Sequence, residues 1–186
     1  MKRVGKILIP LVTLLLLAGC DGRVERSDGG GVVLSITDFQ ALPTQVSVNG
    51  LRFAGGLLTM DQITITSILK NRSSGSSDLM NIEMNSYEVT YSRGDGGTLL
   101  PPPLVQKIFG VTPAGGSNTY DNLPIMTSDQ LNAPPLSDYL IENGGFDRET
   151  GRTTTSLNFH LKFFGRSIAG EAVESNVASF TVEFTV

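Results

Sequence analysis

From Val32 onward, apolar and polar residues alternate in short runs that end at Gly, Pro, Asn, Asp or Ser, with little helical periodicity between them. Period-two alternation sends successive side chains to opposite faces of an extended chain, so these runs predict half-buried strands. Val32 to Asp38 and Thr44 to Val48 are the first two, parted by Pro43. In Ile63-Thr64-Ile65-Thr66-Ser67-Ile68-Leu69 the pattern puts Ile63, Ile65 and Leu69 on one face, with Thr64, Thr66 and Lys70 on the other. The serine-rich stretch from Asn71 to Asp78 then reads as a loop.

Between Ile82 and Tyr91 the apolar phase slips: Ile82 and Met84 share one parity, while Tyr87, Val89 and Tyr91 share the other. A one-residue slip would turn half of them to water, so the sequence predicts a β-bulge near Asn85-Ser86. Arg93-Gly94-Asp95-Gly96-Gly97 predicts a tight hairpin, with a brief return strand stopped by Pro101-Pro102-Pro103. Residues 104–145 are the least regular. Strands are predicted there over Val105 to Val111 and Asn118 to Ile125, with a single helical turn after Pro135. In the last third, Leu157, Phe159, Leu161 and Phe163 face one way, and Ala178, Phe180, Val182, Phe184 and Val186 make a matching face. These two strands, joined across Gly165 to Ser175, are expected to pair antiparallel and to carry the densest core.

The alternation has a different preface. Met1-Lys2-Arg3 and Lys6 form a basic start, and Ile7 to Ala18 is an apolar run interrupted only by Pro10 and Thr13. A spanning helix needs roughly 20 apolar residues, and this run is shorter, which makes it a secretory signal. It ends in Leu17-Ala18-Gly19-Cys20, a motif that resembles the lipobox of bacterial lipoproteins. The resemblance implies cleavage between Gly19 and Cys20 and diacylglyceryl transfer to the Cys20 thiol. The bilayer is then a partner reached through acylated Cys20, at either the inner or the outer membrane, with the domain on the exported side. Asp21 resembles an inner-membrane retention signal of enteric-type bacteria. Residues 20–31 mix charge with glycine and read as a flexible tether, which leaves 32–186 as one β-sandwich domain after a signal peptide at 1–19.

Charge and cysteine count narrow the rest. Loss of Lys2, Arg3 and Lys6 leaves 11 basic against 18 acidic residues, a net charge of −7. Such a chain lacks the clustered Lys and Arg that nucleic acid requires. Cys20 is the lone cysteine, so no disulfide forms within the chain. The predicted fold is all-β, and its strand number and spacing resemble the antiparallel sandwich of immunoglobulin or fibronectin type III domains, without the Cys and Trp hallmarks of the former. The stretch Phe163-Phe164-Gly165-Arg166-Ser167-Ile168-Ala169-Gly170, with Val182-Glu183-Phe184 and Tyr87-Glu88-Val89-Thr90-Tyr91, is similar to uncharacterised bacterial envelope lipoproteins with one such domain.

Candidate chemistry is sparse. His160 is the sole histidine, falls on the solvent side of its strand, and has no recognisable nucleophile motif beside it. One histidine and a lipidated cysteine do not complete a zinc site, and no glycine-rich loop has phosphate-binding spacing, so no cofactor is expected. Asp147 and Glu149, near Glu142 and Asn143, supply oxygen ligands of the kind that hold calcium, although an ordinary turn uses the same residues and the spacing of a regular calcium loop is absent. Arg93-Gly94-Asp95 spells an adhesive tripeptide, yet all three residues also favour turns. The expected function is therefore a membrane-anchored, non-enzymatic module that binds or scaffolds an envelope protein or polymer. The competing readings are a hydrolase or carbohydrate-active accessory using Asp147, Glu149 and Asp138, and a solute-binding lipoprotein, a class normally larger and α/β.

Overall fold

A computed structural model of the chain describes residues 31–40, 43–73 and 75–186. The predicted signal segment, Gly19 and Cys20, and the predicted tether before Gly31 lie outside those residues. Strands dominate the rest: β1 (Val32–Phe39), β2 (Gln45–Ser47), β3 (Leu58–Leu69), β4 (Ile82–Arg93), β5 (Leu104–Lys107), β6 (Val111–Thr112), β7 (Ser117–Met126), β8 (Thr154–Ser167), β9 (Ala172–Glu174) and β10 (Ala178–Thr185). Two short helices, α1 (Val48–Phe53) and α2 (Ser128–Leu131), sit at one end.

The strands form two packed sheets. One has the order β1-β3-β7; the other runs β2-β10-β8-β4-β5, with β6 on β4 and β9 on β8. All pairings within the sheets are antiparallel except β2 with β10. The fold is an all-β sandwich, as the alternation predicted, with the immunoglobulin-like arrangement that the resemblance implied. Most inward positions read from that alternation form its core: Ile63 and Ile65 on β3, Leu157, Phe159, Leu161 and Phe163 on β8, and Val182 and Phe184 on β10 are fully buried, whereas Leu69 and Phe180, assigned to the same faces, are only partly buried and Val186, past the end of β10, is exposed. Phe159 stacks on Phe180 with ring centroids 5.1 Å apart, and Tyr91 meets it edge-on at the same distance. The Tyr87 and Tyr91 hydroxyls cross the sandwich to donate to the Pro124 and Ile125 carbonyls on β7. Burial pushes the Tyr87 phenol up to about 12 and the Tyr91 phenol higher.

The slip in β4 is resolved as expected, by a register shift between Met84 and Ser86 opposite β8. The buried position opposite Met84 is glycine, Gly165, because a Cβ would lie 2.7 Å from the Ile82 methyl and 2.8 Å from the Glu83 carbonyl. Other expectations need correction. Val48 opens a helix instead of ending a strand, since the Ser47 hydroxyl accepts the Gly50 amide and caps it. The stretch predicted as one strand from Val105 to Val111 is split, with Ile108-Phe109-Gly110 between β5 and β6. Leu136–Tyr139 forms the single helical turn foreseen after Pro135, as a 3-10 turn.

Because neighbouring strands are antiparallel, the sandwich has two ends. Gly31 enters at one, where its carbonyl accepts the Lys70 amide and the Leu79 and Ile168 turns also lie. The opposite end gathers α1, α2, the 136–143 turns, the 94–99 segment, the 147–152 loop and Val186. No helix among the described residues is long and apolar enough to cross a membrane.

Candidate functional site

The opposite end holds the densest polar chemistry among the described residues. Arg93, the last residue of β4, points inward in phase with Tyr87, Val89 and Tyr91, which would bury a lone cation. Its side chain is only 1% exposed, so it requires partners. Asp95, two residues on, folds back and takes two of its nitrogens at 2.7 Å, a bidentate fork. Asp147, wholly buried, takes Nη2 at 2.5 Å, and Glu149 accepts from Nη1 at 3.3 Å. Thr155 on β8 donates to Asp95, and Thr150 donates to Asp147.

The electrostatics follow from these contacts. Hydrogen bonds from Arg93 hold the Asp95 carboxyl well below its ordinary range, against the opposing effect of burial, with Thr155 and the Gly97 amide adding to them. Burial works against ionised Asp147, but the Thr150 hydroxyl, Arg93 and the Glu149 amide outweigh it, and its pKa falls. Glu149 is lowered chiefly by the Thr98 hydroxyl, with the Leu99 and Thr98 amides. Arg93 is raised in turn, mainly by Asp95. Carboxylates held ionised and already bonded suit a clamp better than a proton donor. Tyr139 is buried beside them, and among the described residues its hydroxyl has no partner at ordinary hydrogen-bond distance and angle. Its phenol is pushed up to about 12, first by burial and then by Asp147.

This cluster also explains the missing hairpin. Glu149 captures the amides of Thr98 and Leu99 at 2.8 and 3.1 Å, drawing that backbone to the 147–152 loop, so strand pairing with β4 resumes only at Leu104, after the three prolines. Arg93-Gly94-Asp95 is thus not a displayed tripeptide, because its two charged side chains are bonded to each other and nearly buried.

Asp147 and Glu149, the candidate calcium ligands, are brought together, but around a guanidinium. Among the described residues no group of three or more His, Cys, Asp or Glu side chains is arranged to hold a metal ion. Asp138 stands apart from that fork, 3.6 Å from the Arg148 Nε. The Glu142 carboxylate pairs with Arg52 of α1.

The outer face of the larger sheet holds an arrangement the sequence reading missed. His160 Nε2 lies 2.9 Å from Ser92 Oγ, and its Nδ1 lies 2.9 Å from Ser179 Oγ. Alternation put His160 outward; only the register, with Ser179 opposite it and Thr90 on its other side, shows that it meets the two serines. Nδ1 faces a hydroxyl where a nucleophilic triad places a carboxylate. Two depressions, of about 200 Å³ beside Arg52, Gly56 and Ser128 and about 300 Å³ beside Ser67, Leu69 and Arg72, are lined by neither His160 nor the loop carboxylates.

Exposed apolar side chains complete the opposite end. Phe53 is 88% and Ile141 70% exposed, with Leu57, Phe146 and Val186 also open. They belong to neighbouring segments. The Asn49 side chain bonds the backbone of Tyr139 and Ile141, the Ser47 hydroxyl donates to the Val186 carbonyl, and a Cβ on Gly145 would touch Val186.

No protein-family model matches the chain, and no curated protein matches it. Among solved structures, a protein from Archaeoglobus fulgidus is similar over 70% of this chain and 90% of its own, at 17% identity and a TM-score of 0.35. That likeness is too loose to carry an argument.

Proposed function

We propose that the protein is a lipid-anchored, non-enzymatic envelope lipoprotein whose sandwich holds a binding surface away from the membrane. The observation that carries this reading is the placement of the chain entry and the apolar crown at opposite ends. Gly31 leads from the Cys20 tether into β1, while Phe53, Leu57, Ile141, Phe146 and Val186 are exposed on the far end. With β3 12 residues long and a rise of about 3.3 Å per residue, the crown stands roughly 40 Å beyond that entry. Exposed aromatic and aliphatic side chains rimmed by ion pairs, here Arg52 with Glu142, are what protein contacts use. The partner that fits is a folded envelope protein with an apolar patch.

Two measurements test the reading. Metabolic labelling with a fatty-acid analogue is expected to mark the full chain and to vanish in Cys20→Ala; labelling that persists refutes the anchor. A photocrosslinker at position 53 is expected to yield a discrete adduct in membranes that is lost in Ile141→Asp. Uniform smearing, or an adduct indifferent to that substitution, refutes the docking face.

A further inference from the structure

The end at which the tether enters carries its own exposed aliphatic residues. Leu79 is 59% and Ile168 47% exposed, on adjacent turns locked together by backbone bonds from Ala169 to Leu79 and from Ile168 to Asn81. Val33 and Ile68, opposite each other in the β1–β3 register, extend the apolar area up the outer face of the smaller sheet. Met80 packs where a Cβ on Gly31 would point, 3.5 Å away, so Gly31 lies beside this group. Lys70, Arg72 and Arg166 share the end with Asp78, Glu83 and Glu171, and the opposing charges leave the aliphatic side chains to decide what it touches.

The length of chain before this point says what lies within reach. Eleven residues, Cys20 to Gly30, separate the lipobox cysteine from Gly31. A glycine-rich segment of that length spans about 17–20 Å on average. The geometry points to the tether end as a second membrane contact: Leu79 and Ile168, with Val33 and Ile68 beside them, rest in the headgroup region of the bilayer that holds the acyl chains. This rests on the lipid-anchor reading. A firm acyl anchor and a weak apolar contact joined by a short linker act together, the acyl group raising the local concentration of bilayer for the aliphatic tip. The contact would fix the sandwich upright instead of letting it swing on its tether.

The test uses full chains purified from membranes, where acylation of Cys20 leaves an introduced cysteine as the sole thiol. A fluorophore is attached at Ile168→Cys or, separately, at Phe53→Cys, and each protein is reconstituted in vesicles of phosphatidylethanolamine and phosphatidylglycerol carrying a nitroxide on the headgroup. Quenching at position 168 is expected to be roughly threefold or more stronger than at position 53, given a burial depth of about 5–10 Å. Adding Leu79→Ser is expected to weaken it without shifting the melting temperature, since that side chain is open to solvent. Intact mass distinguishes the two failures. A chain without acyl mass on Cys20 overturns anchor and contact together; an acylated chain whose two probes respond alike, or more strongly at 53, overturns the contact alone.

Discussion

The two ends of the sandwich are closed by different chemistry. At the crown end, Arg93 and three carboxylates knit together the end of β4, the 94–99 segment and the 147–152 loop. At the tether end, closure is by close approach and backbone bonds: Gly165 lets β8 lie against Ile82 and Glu83, and the amides of Lys70, Met84, Ile168 and Ala169 find carbonyls on neighbouring turns. An ion cluster can order long irregular loops that a small apolar patch cannot, but its contribution depends on every partner being present and charged. Close packing is indifferent to pH and intolerant of volume.

Substitutions sharpen that contrast. Arg93→Ala leaves Asp95 and Asp147 as uncompensated buried charges and is expected to cost about 3–5 kcal/mol in denaturant unfolding. Arg93→Lys should recover only part, because an ammonium cannot reproduce the fork to Asp95. An alanine variant within 1 kcal/mol of the parent, on the roughly 3–5 kcal/mol scale of a broken buried pair, would show that the loops stand without the cluster.

Acid acts on the same end. Asp95 and Asp147 have folded-state pKa values below their ordinary ones, so the unfolded chain takes up protons first. Their stabilisation is complete above the unfolded value of about 4 and is lost as pH falls further. The melting temperature should drop between about pH 4 and pH 2, and Asp95→Asn should flatten that slope while lowering the plateau. An identical slope in the variant would assign the acid sensitivity elsewhere.

Gly165→Ala is the counterpart at the tether end. Its Cβ would overlap the Ile82 side chain and the Glu83 carbonyl, for an expected loss of about 1–3 kcal/mol that is the same at pH 7 and pH 5. A pH-dependent loss would blur the division between the ends. Ser92→Ala, on the open outer face, should change stability by less than about 0.5 kcal/mol. A larger loss would mean that the Ser92–His160–Ser179 row bears on the fold.

What the sequence discloses follows the same division. Strands β3, β8 and β10, their inward faces and the bulge in β4 are all legible because alternation is a local property, and Ile63, Phe159 and Val182 each report their burial through their neighbours. The cluster is not local. Arg93 and Asp147 lie 54 residues apart, and nothing in Arg93-Gly94-Asp95 distinguishes a displayed turn from one folded inward. One signal was available: the inward parity that buries Tyr87, Val89 and Tyr91 also falls on Arg93, and a buried arginine demands acids, of which Asp147 and Glu149, in the loop before β8, are a concentrated supply. Helix α1 was hidden for another reason, since Val48-Asn49-Gly50 carries poor helix formers and depends on the Ser47 cap. Gly19 and Cys20 stand before the described residues.

The way β1 joins the sandwich has a mechanical consequence. Gly31 enters along the axis of β1, which is paired with β3 from Val32 opposite Leu69 to Phe39 opposite Ile63. Ladder hydrogen bonds run across the strands, so tension between a bilayer below and a partner above would pull along β1 and load its rungs together in shear. A strand pulled from its side would open one rung at a time, like a zip. Under the proposed anchoring such a load would fall on the whole ladder at once, and the first element to be surrendered would be the one tied to Gly31.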